Sequence, residues 1–294
     1  MTTIHVPNET PPIPAKHFLV ASQCLSQTLW KRIKHSGTFR INDNLVNAAR
    51  AVVKGGDTIT YSIVRESAIE PEKLPLSICY EDDFLLIVDK PAGQLVHPTT
   101  KEAHGTLGNA VLAHYRARGE HHSFHPVHRL DRATSGLVLI AKVPQVQYKL
   151  TTRKDGEKLF HREYLAIIEG SITPSEGTIN VPIARALPSI ILRKVAPDGK
   201  PARTHYTTEK AGKTHSLLHL ALETGRTHQI RVHLAHLGYP LLGDDLYGGS
   251  LEEISRQALH ACRLHFTHPM TGAPIDITAP LPADMERVLK SDMF

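Results

Sequence analysis

The chain has 294 residues, 41% hydrophobic and 21% charged, with a net charge of +5, a balance that suits one large soluble domain plus a small one. No apolar run approaches the length of a membrane span and residues 1–14 hold no apolar secretory core, so no membrane partner is expected and the protein reads as cytoplasmic. Cys24, Cys79 and Cys262 are far apart and odd in number, which argues against a disulfide framework or a paired-cysteine zinc site and for buried thiols.

Residues 1–15 carry Pro7, Pro11, Pro12 and Pro14 without apolar periodicity and read as an extended, mobile tail. Over residues 16–65 eight Lys or Arg stand against two acids, a local excess of six that is larger than the charge of the whole chain. Such an excess is the electrostatic footprint of a polyanion-binding module. Leu25, Leu29 and Ile33 recur at helical spacing between Ser22 and His35, with Ser22 as N-cap and Gly37 as stop. Lys31, Arg32 and Lys34 crowd the last turn, where the helix dipole favours cations with or without a nucleic acid nearby. Strands follow over residues 37–42 and 52–61, the second entered by a Gly-Asp turn. This helix, glycine turn and strand series over residues 16–65 is similar to the small S4-type RNA-binding domain, which makes Lys31 and Arg32 candidate RNA contacts.

Residues 66–75, polar and bearing Pro71 and Pro75, read as a linker, and residues 76–294 as the second domain. Leu85–Val88 is a buried strand ended by the turn Lys90-Pro91-Ala92-Gly93. Lys90 is a candidate phosphate or active-site contact, although a lone turn lysine is more often just solvated. Twenty histidines is a high count, and His121, His122, His125 and His128 cluster. Their spacing is irregular, no cysteine assists and no His-Glu-x-x-His string occurs, so they read as polar loop residues and no metal is expected.

The chain is organised around His125–Lys142. Leu137–Ala141 is an apolar run of strand formers, fed by a turn at Ser135-Gly136. Asp131 is thus offered from a loop with Arg129 and Arg132 beside it, and nearby positive charge favours the ionised acid. On local grounds two roles stay open: a base or nucleophile acting on a substrate, or a structural ion pair. The string His128-Arg129-Leu130-Asp131, followed by Ala133-Thr134-Ser135-Gly136-Leu137, resembles the signature of the RluA branch of the RNA pseudouridine synthases, in which this aspartate is catalytic. Tyr80–Pro98 is similar to another string of that branch, with Asp89 where Asn is usual.

Pro144–Thr151 reads as a helix and Arg162–Gly170 as a strand with a glycine exit. By pattern Tyr164 is simply a strand aromatic; by resemblance it is the tyrosine that stacks on the target base. In Leu222–Asp244, Ile230, Leu234 and Leu237 share one helical face, ended by Gly238 and Pro240. Arg226 and Arg231 are not stacked on that helix and read either as surface arginines or, by resemblance, as an RNA-backbone contact (Arg226) and the charge partner of Asp131 (Arg231). With Gly199–Tyr206 and Leu259–Phe266, the resemblance covers about residues 75–285.

The resemblance implies an α+β fold, with a mixed, mostly antiparallel sheet, helices against its faces and an RNA cleft across the Asp131 loop, joined to a small S4-like α/β domain. It implies an isomerase that breaks the bond from ribose C1′ to base N1 and remakes it to C5. No electrons or phosphoryl groups move, so no cofactor is expected, and neither a metal nor a nucleotide. Asp131 would act at C1′ directly or through a glycal, Tyr164 would stack on the flipped uracil, and Arg129 would fill the space it leaves. Large-subunit (23S) ribosomal RNA is the expected partner, with transfer RNA the alternative. A non-catalytic RNA-binding protein and a histidine-metal hydrolase are the other classes.

Overall fold

A computed structural model describes residues 2–22, 25–63, 69–151, 160–189 and 191–291. The first unit contains β1 (Thr2–His5), β2 (Ile13–Pro14), α1 (Ala15–Ala21), α2 (Gln27–Ser36), β3 (Gly37–Ile41), β4 (Asn44–Leu45), β5 (Val52–Val53) and β6 (Thr58–Ile63). Its antiparallel sheet runs β1-β6-β3-β4, and β2 pairs with β5. Leu19, Leu25, Leu29, Trp30, Ile33, Phe39 and Ile59 form one core, with Trp30 edge-on to Phe39 at 5.7 Å.

Three expectations change here. The described part of the expected tail over residues 1–15, residues 2–15, is structured, because Thr2–His5 alternates half-buried and exposed along β6 and the four prolines fall where they interrupt no main-sheet ladder. The helix starts at Gln27, since Ser26, not Ser22, caps it by accepting from the Leu29 N–H at 3.1 Å; Ser22 ends the unexpected α1. The described part of the expected linker, 69–75, is docked: Ile69 packs on the main core, and the Glu70 carbonyl accepts from Asn109 Nδ2 at 2.7 Å.

The second unit comprises β7 (Ser77–Glu81), β8 (Leu85–Lys90), α3 (Leu107–Ala117), β9 (His125–Pro126), β10 (Ser135–Ala141), α4 (Pro144–Thr151), β11 (Phe160–Glu169), β12 (Glu176–Asn180), β13 (Ile183–Arg185), β14 (Arg193–Val195), β15 (Arg203–Ala211), β16 (His215–Leu222), α5 (Gln229–His236), β17 (Leu259–Thr267), β18 (Pro274–Thr278) and α6 (Ala283–Ser291). A ten-stranded sheet runs β12-β15-β16-β11-β17-β10-β8-β7, with β18 added to β17 and β9 to β10. Its described pairings are antiparallel except β10 with β17, so the mixed, mostly antiparallel α+β expectation stands. No described helix is long and apolar enough to cross a membrane.

Strand β10 is buried along its whole length because both faces of the sheet are covered. Val138 and Ile140 join the core beneath α3, while Leu137, Leu139 and Ala141 join the opposite core with Val146 and Leu150 of α4. Each large side chain removed from water there contributes about 1.5–3 kcal/mol. The parallel step to β17 starts at Ser135 and Gly136. Gly136 has φ +109°, and a Cβ there would sit 2.3 Å from the Ala261 carbonyl oxygen, so only glycine allows the close approach that anchors the loop before β10. Of the expected buried thiols, Cys79 is exposed on the short edge strand β7 and Cys262 is half-buried; Cys24 lies outside the described residues.

Candidate active site

Asp131 sits on the loop from Val127 to Thr134, between β9 and β10, and lines a cavity of about 810 Å³. Two largely buried cations grip successive carbonyls just after it. Lys90 donates to the carbonyls of Pro91, Gln94 and Arg132 at 2.8, 2.9 and 3.1 Å. Arg256 donates to the Ala133 carbonyl at 3.1 Å while paired with Asp284 through Nε at 2.6 Å and Nη2 at 2.9 Å. Lys90 is 0% exposed, which corrects its expected role as a substrate or phosphate contact: the strand end carries it inward beneath the loop, where backbone carbonyls take its three N–H groups. Burial pushes its pKa down to about 7.

The charge partner of Asp131 comes from α5. Arg231 Nη1 donates to Asp131 Oδ2 at 3.2 Å, and Arg231 Nε and Nη2 donate to the two oxygens of Asp244 at 2.7 and 2.6 Å. The Asp131 side chain keeps 28% exposure toward the cavity, whereas that of Asp244 has none. Burial works to lower the Arg231 pKa, but Asp244 and Asp131 outweigh it and raise it. The Arg231 guanidinium lies over the Tyr247 ring at 5.0 Å. Neither sequence neighbour takes part: Arg132 pairs with Glu102, and Arg129 stands exposed at the cavity wall.

Gln229 shapes the turn into α5. Its side-chain oxygen accepts from Thr224 Oγ1 at 2.8 Å and from the Arg226 N–H at 3.0 Å, and its amide donates to the Arg203 carbonyl at 2.9 Å. His228 then adopts φ +57°, a backbone conformation uncommon outside glycine, and brings Nε2 to 3.7 Å from Asp131 while Nδ1 lies 2.8 Å from Tyr247 Oη. Burial pushes the His228 pKa down against the pull of Asp131. Arg226 is exposed at the same wall and donates Nε to the Pro201 carbonyl at 3.0 Å.

Tyr164 reaches the cavity from β11. The pairing of β11 with β17 shifts register between Glu163 and Tyr164, leaving Cys262 as the extra residue; such bulges re-aim side chains beside functional sites. Burial raises the Tyr164 pKa, Arg162 opposes and Asp131 reinforces. The structure therefore brings Asp131, Tyr164, Arg231, Arg129 and Arg226 to one cavity. Lys31 and Arg32 are exposed on α2 and are not among its lining residues.

Sequence reading missed Asp244, His228 and Arg162. Asp244 follows a glycine, with no pattern to mark it as the second carboxylate on Arg231. Arg162 and Tyr164 share one face by the strand period of two, a signal that could have placed Arg162 at the site. Of the clustered histidines, His128 stacks on Phe160 at 5.7 Å and its Nε2 accepts from the Leu139 N–H at 3.2 Å, while burial pushes His125 down to about 4.

This fold is that of a solved human protein, RNA Pseudouridylate Synthase Domain Containing 4, which superposes with a TM-score of 0.59 at 23% identity over 73% of this chain and 92% of that one. The family model for RNA pseudouridylate synthase matches residues 84–236, the segment that contains Asp131, Tyr164 and Arg231. A ribosomal large subunit pseudouridine synthase D from Pasteurella multocida is 42% identical over 267 residues, 85% of this chain and 82% of that protein. An RNA pseudouridine synthase from Bacillus subtilis, YjbO, is 39% identical over 272 residues, 91% of this chain and 95% of that protein. The chain belongs to the RNA pseudouridine synthase family and is an isomerase that acts on RNA.

Proposed function

We propose that this synthase converts uridine to pseudouridine in large-subunit ribosomal RNA, with Asp131 acting at ribose C1′. The observation that carries the proposal is the partly open Asp131 carboxylate, held by Arg231 at 3.2 Å in a cavity walled by Tyr164. The relatives named ribosomal large subunit pseudouridine synthase D support the ribosomal target.

The reaction keeps every atom. The C1′–N1 bond breaks and its electron pair stays on the base; Asp131 bonds to C1′ or removes a ribose proton to leave a glycal. The base then turns and its C5 bonds C1′ as the Asp131–C1′ bond breaks or, by the glycal route, as the ribose proton is returned; the C5 proton leaves and N1 gains one. Arg231 supplies the positive charge that fixes the Asp131 carboxylate in place, its own charge anchored by buried Asp244. Tyr164 forms an apolar wall for the uracil ring. Arg129, exposed beside Asp131, enters the stack that the flipped nucleotide vacates.

Residues 16–65 serve as an S4-like RNA-binding module, with 76–294 as the catalytic domain. The charge excess of residues 16–65 and the exposed Lys31, Arg32 and Lys34 on α2 support this. The protein works in the cytoplasm, where its RNA is.

The test is a map of pseudouridine across ribosomal and transfer RNA from cells with and without the protein, repeated with Asp131→Asn restored. Loss of one or a few large-subunit sites, restored by the wild-type copy alone, is the expected result. Loss confined to transfer RNA would overturn the target.

A further inference from the structure

The cavity contains a second buried cation to which the chemistry above gives no task. Phe160, Arg162 and Tyr164 alternate along β11 and so face the cavity together. Arg162 is only 7% exposed. Its guanidinium lies over the Phe160 ring at 5.3 Å and its Nε has no hydrogen-bond partner. Among the described residues no carboxylate lies within ion-pair distance of it, unlike Arg231 with Asp131 and Asp244 or Arg256 with Asp284. The turn before α5 leaves room for it, since a Cβ on Gly225 would stand 2.8 Å from Arg162 Nη2.

Burying a charge without an opposite charge is costly, and a cation over an aromatic face offsets only part of that cost. Arg162 is therefore a preformed positive group lining the cavity beside Tyr164, whose side chain it hydrogen-bonds, with no carboxylate to balance a charge that an incoming anion would compensate. Resting on the reading of this cavity as the uridine site, we infer that Arg162 stabilises the negative charge that develops on the uracil as the C1′–N1 bond breaks. The electron pair of that bond spreads over N1, O2 and O4 of the ring. A guanidinium N–H donating to a ring oxygen strengthens as the charge grows, which is the differential interaction that lowers a barrier. No proton or electron leaves Arg162. When C5 bonds C1′ and N1 is protonated, the ring is neutral again and the contact weakens.

The same guanidinium could instead hold a backbone phosphate next to the target, and the experiment separates the two. Arg162→Met and Arg162→Lys would be compared with wild type for RNA affinity and for single-turnover rate, on one RNA carrying uridine or 5-fluorouridine at the target. Fluorine makes the departing base less basic and less in need of help; because it also leaves no C5 proton to lose, the rate compared on both substrates is that of C1′–N1 cleavage, read as loss of the target uridine or 5-fluorouridine. Wild-type turnover of the uridine RNA, lost in Asp131→Asn, tests the function independently of this role. For Arg162→Met the expected result is a single-turnover rate lowered by roughly 10²–10³-fold on uridine. RNA affinity should stay near wild type, the lysine variant should recover part of the rate, and the deficit should be at least about tenfold smaller on 5-fluorouridine. A loss of affinity with a salt slope reduced by about one would assign Arg162 to a phosphate and overturn the inference. Equal deficits on the two substrates would overturn it in favour of a packing role. Should the methionine variant fail to fold, the lysine variant still reports the substrate-dependent deficit or its absence.

Discussion

Arg231 binds two aspartates at once: both oxygens of buried Asp244 through Nε and Nη2, at 2.7 and 2.6 Å, and the half-open Asp131 through Nη1 at 3.2 Å. The short bidentate pair fixes the guanidinium, and its remaining donor holds the carboxylate that faces the cavity. Asp244 is thus a positioning residue. Asp244→Ala leaves Arg231 with one partner and should destabilise the fold by about 3 kcal/mol, the low end for breaking a buried pair. Asp244→Asn keeps one acceptor and should cost less stability while still lowering kcat, with KM for RNA unchanged. Urea denaturation and steady-state kinetics of the two variants check this. A fully active Asp244→Ala protein would show that Asp131 does not depend on this anchor.

Lys90 makes a different prediction from the one its place in a turn suggests. Its ammonium is enclosed and donates to three carbonyls, one of them in the Asp131 loop. Lys90→Met should destabilise the protein by about 2 kcal/mol through orphaned carbonyls and lower kcat by loosening Asp131. RNA affinity and its salt dependence should not change. A reduced salt slope in filter-binding or fluorescence titrations would restore the phosphate-contact reading.

Stability should depend on pH through buried histidines. Burial lowers His125 and His260 from the ordinary 6.5 to about 4, so the fold holds them neutral. Above pH 6.5 both states are neutral and the stability is fully present. As pH falls from 6.5 toward 4 the unfolded chain binds protons that the folded chain refuses, and stability is lost by on the order of 2–3 kcal/mol per histidine. Asp284, held below the ordinary carboxyl value because Arg256 outweighs its burial, adds a loss of the same sign at lower pH. Urea midpoints at pH 7.5, 5.5 and 4.5 should fall in that order; a flat or rising series would contradict the assignment.

Much of this arrangement is legible in the chain because local pattern and tertiary role agree. β10 is buried on both faces and so reads as an unbroken apolar run, and α5 shows its helical period and its Gly-Pro stop. What stays hidden depends on partners distant in sequence. Thr2–His5 becomes a strand only because β6 offers an edge, against the bias of the prolines that follow. Ser26 rather than Ser22 caps α2, a choice of a few residues that capping chemistry alone does not distinguish. Lys90 and Asp244 look like surface charges in a turn, and only the three-dimensional path that buries them gives each its role. Arg162 resembles any strand arginine until Phe160, Tyr164 and Gly225 enclose it.

The most direct test of the account is a single-turnover assay of purified Asp131→Asn on the RNA fragment that contains the mapped uridine, with RNA affinity measured in parallel. The substitution keeps the shape of the side chain and an acceptor for Arg231 but removes the carboxylate charge. No pseudouridine should form, with RNA bound as tightly as by wild type. Turnover within about tenfold of wild type, well short of the roughly 10⁴-fold loss expected when an essential carboxylate is removed, would contradict the assignment of Asp131 as the reacting group.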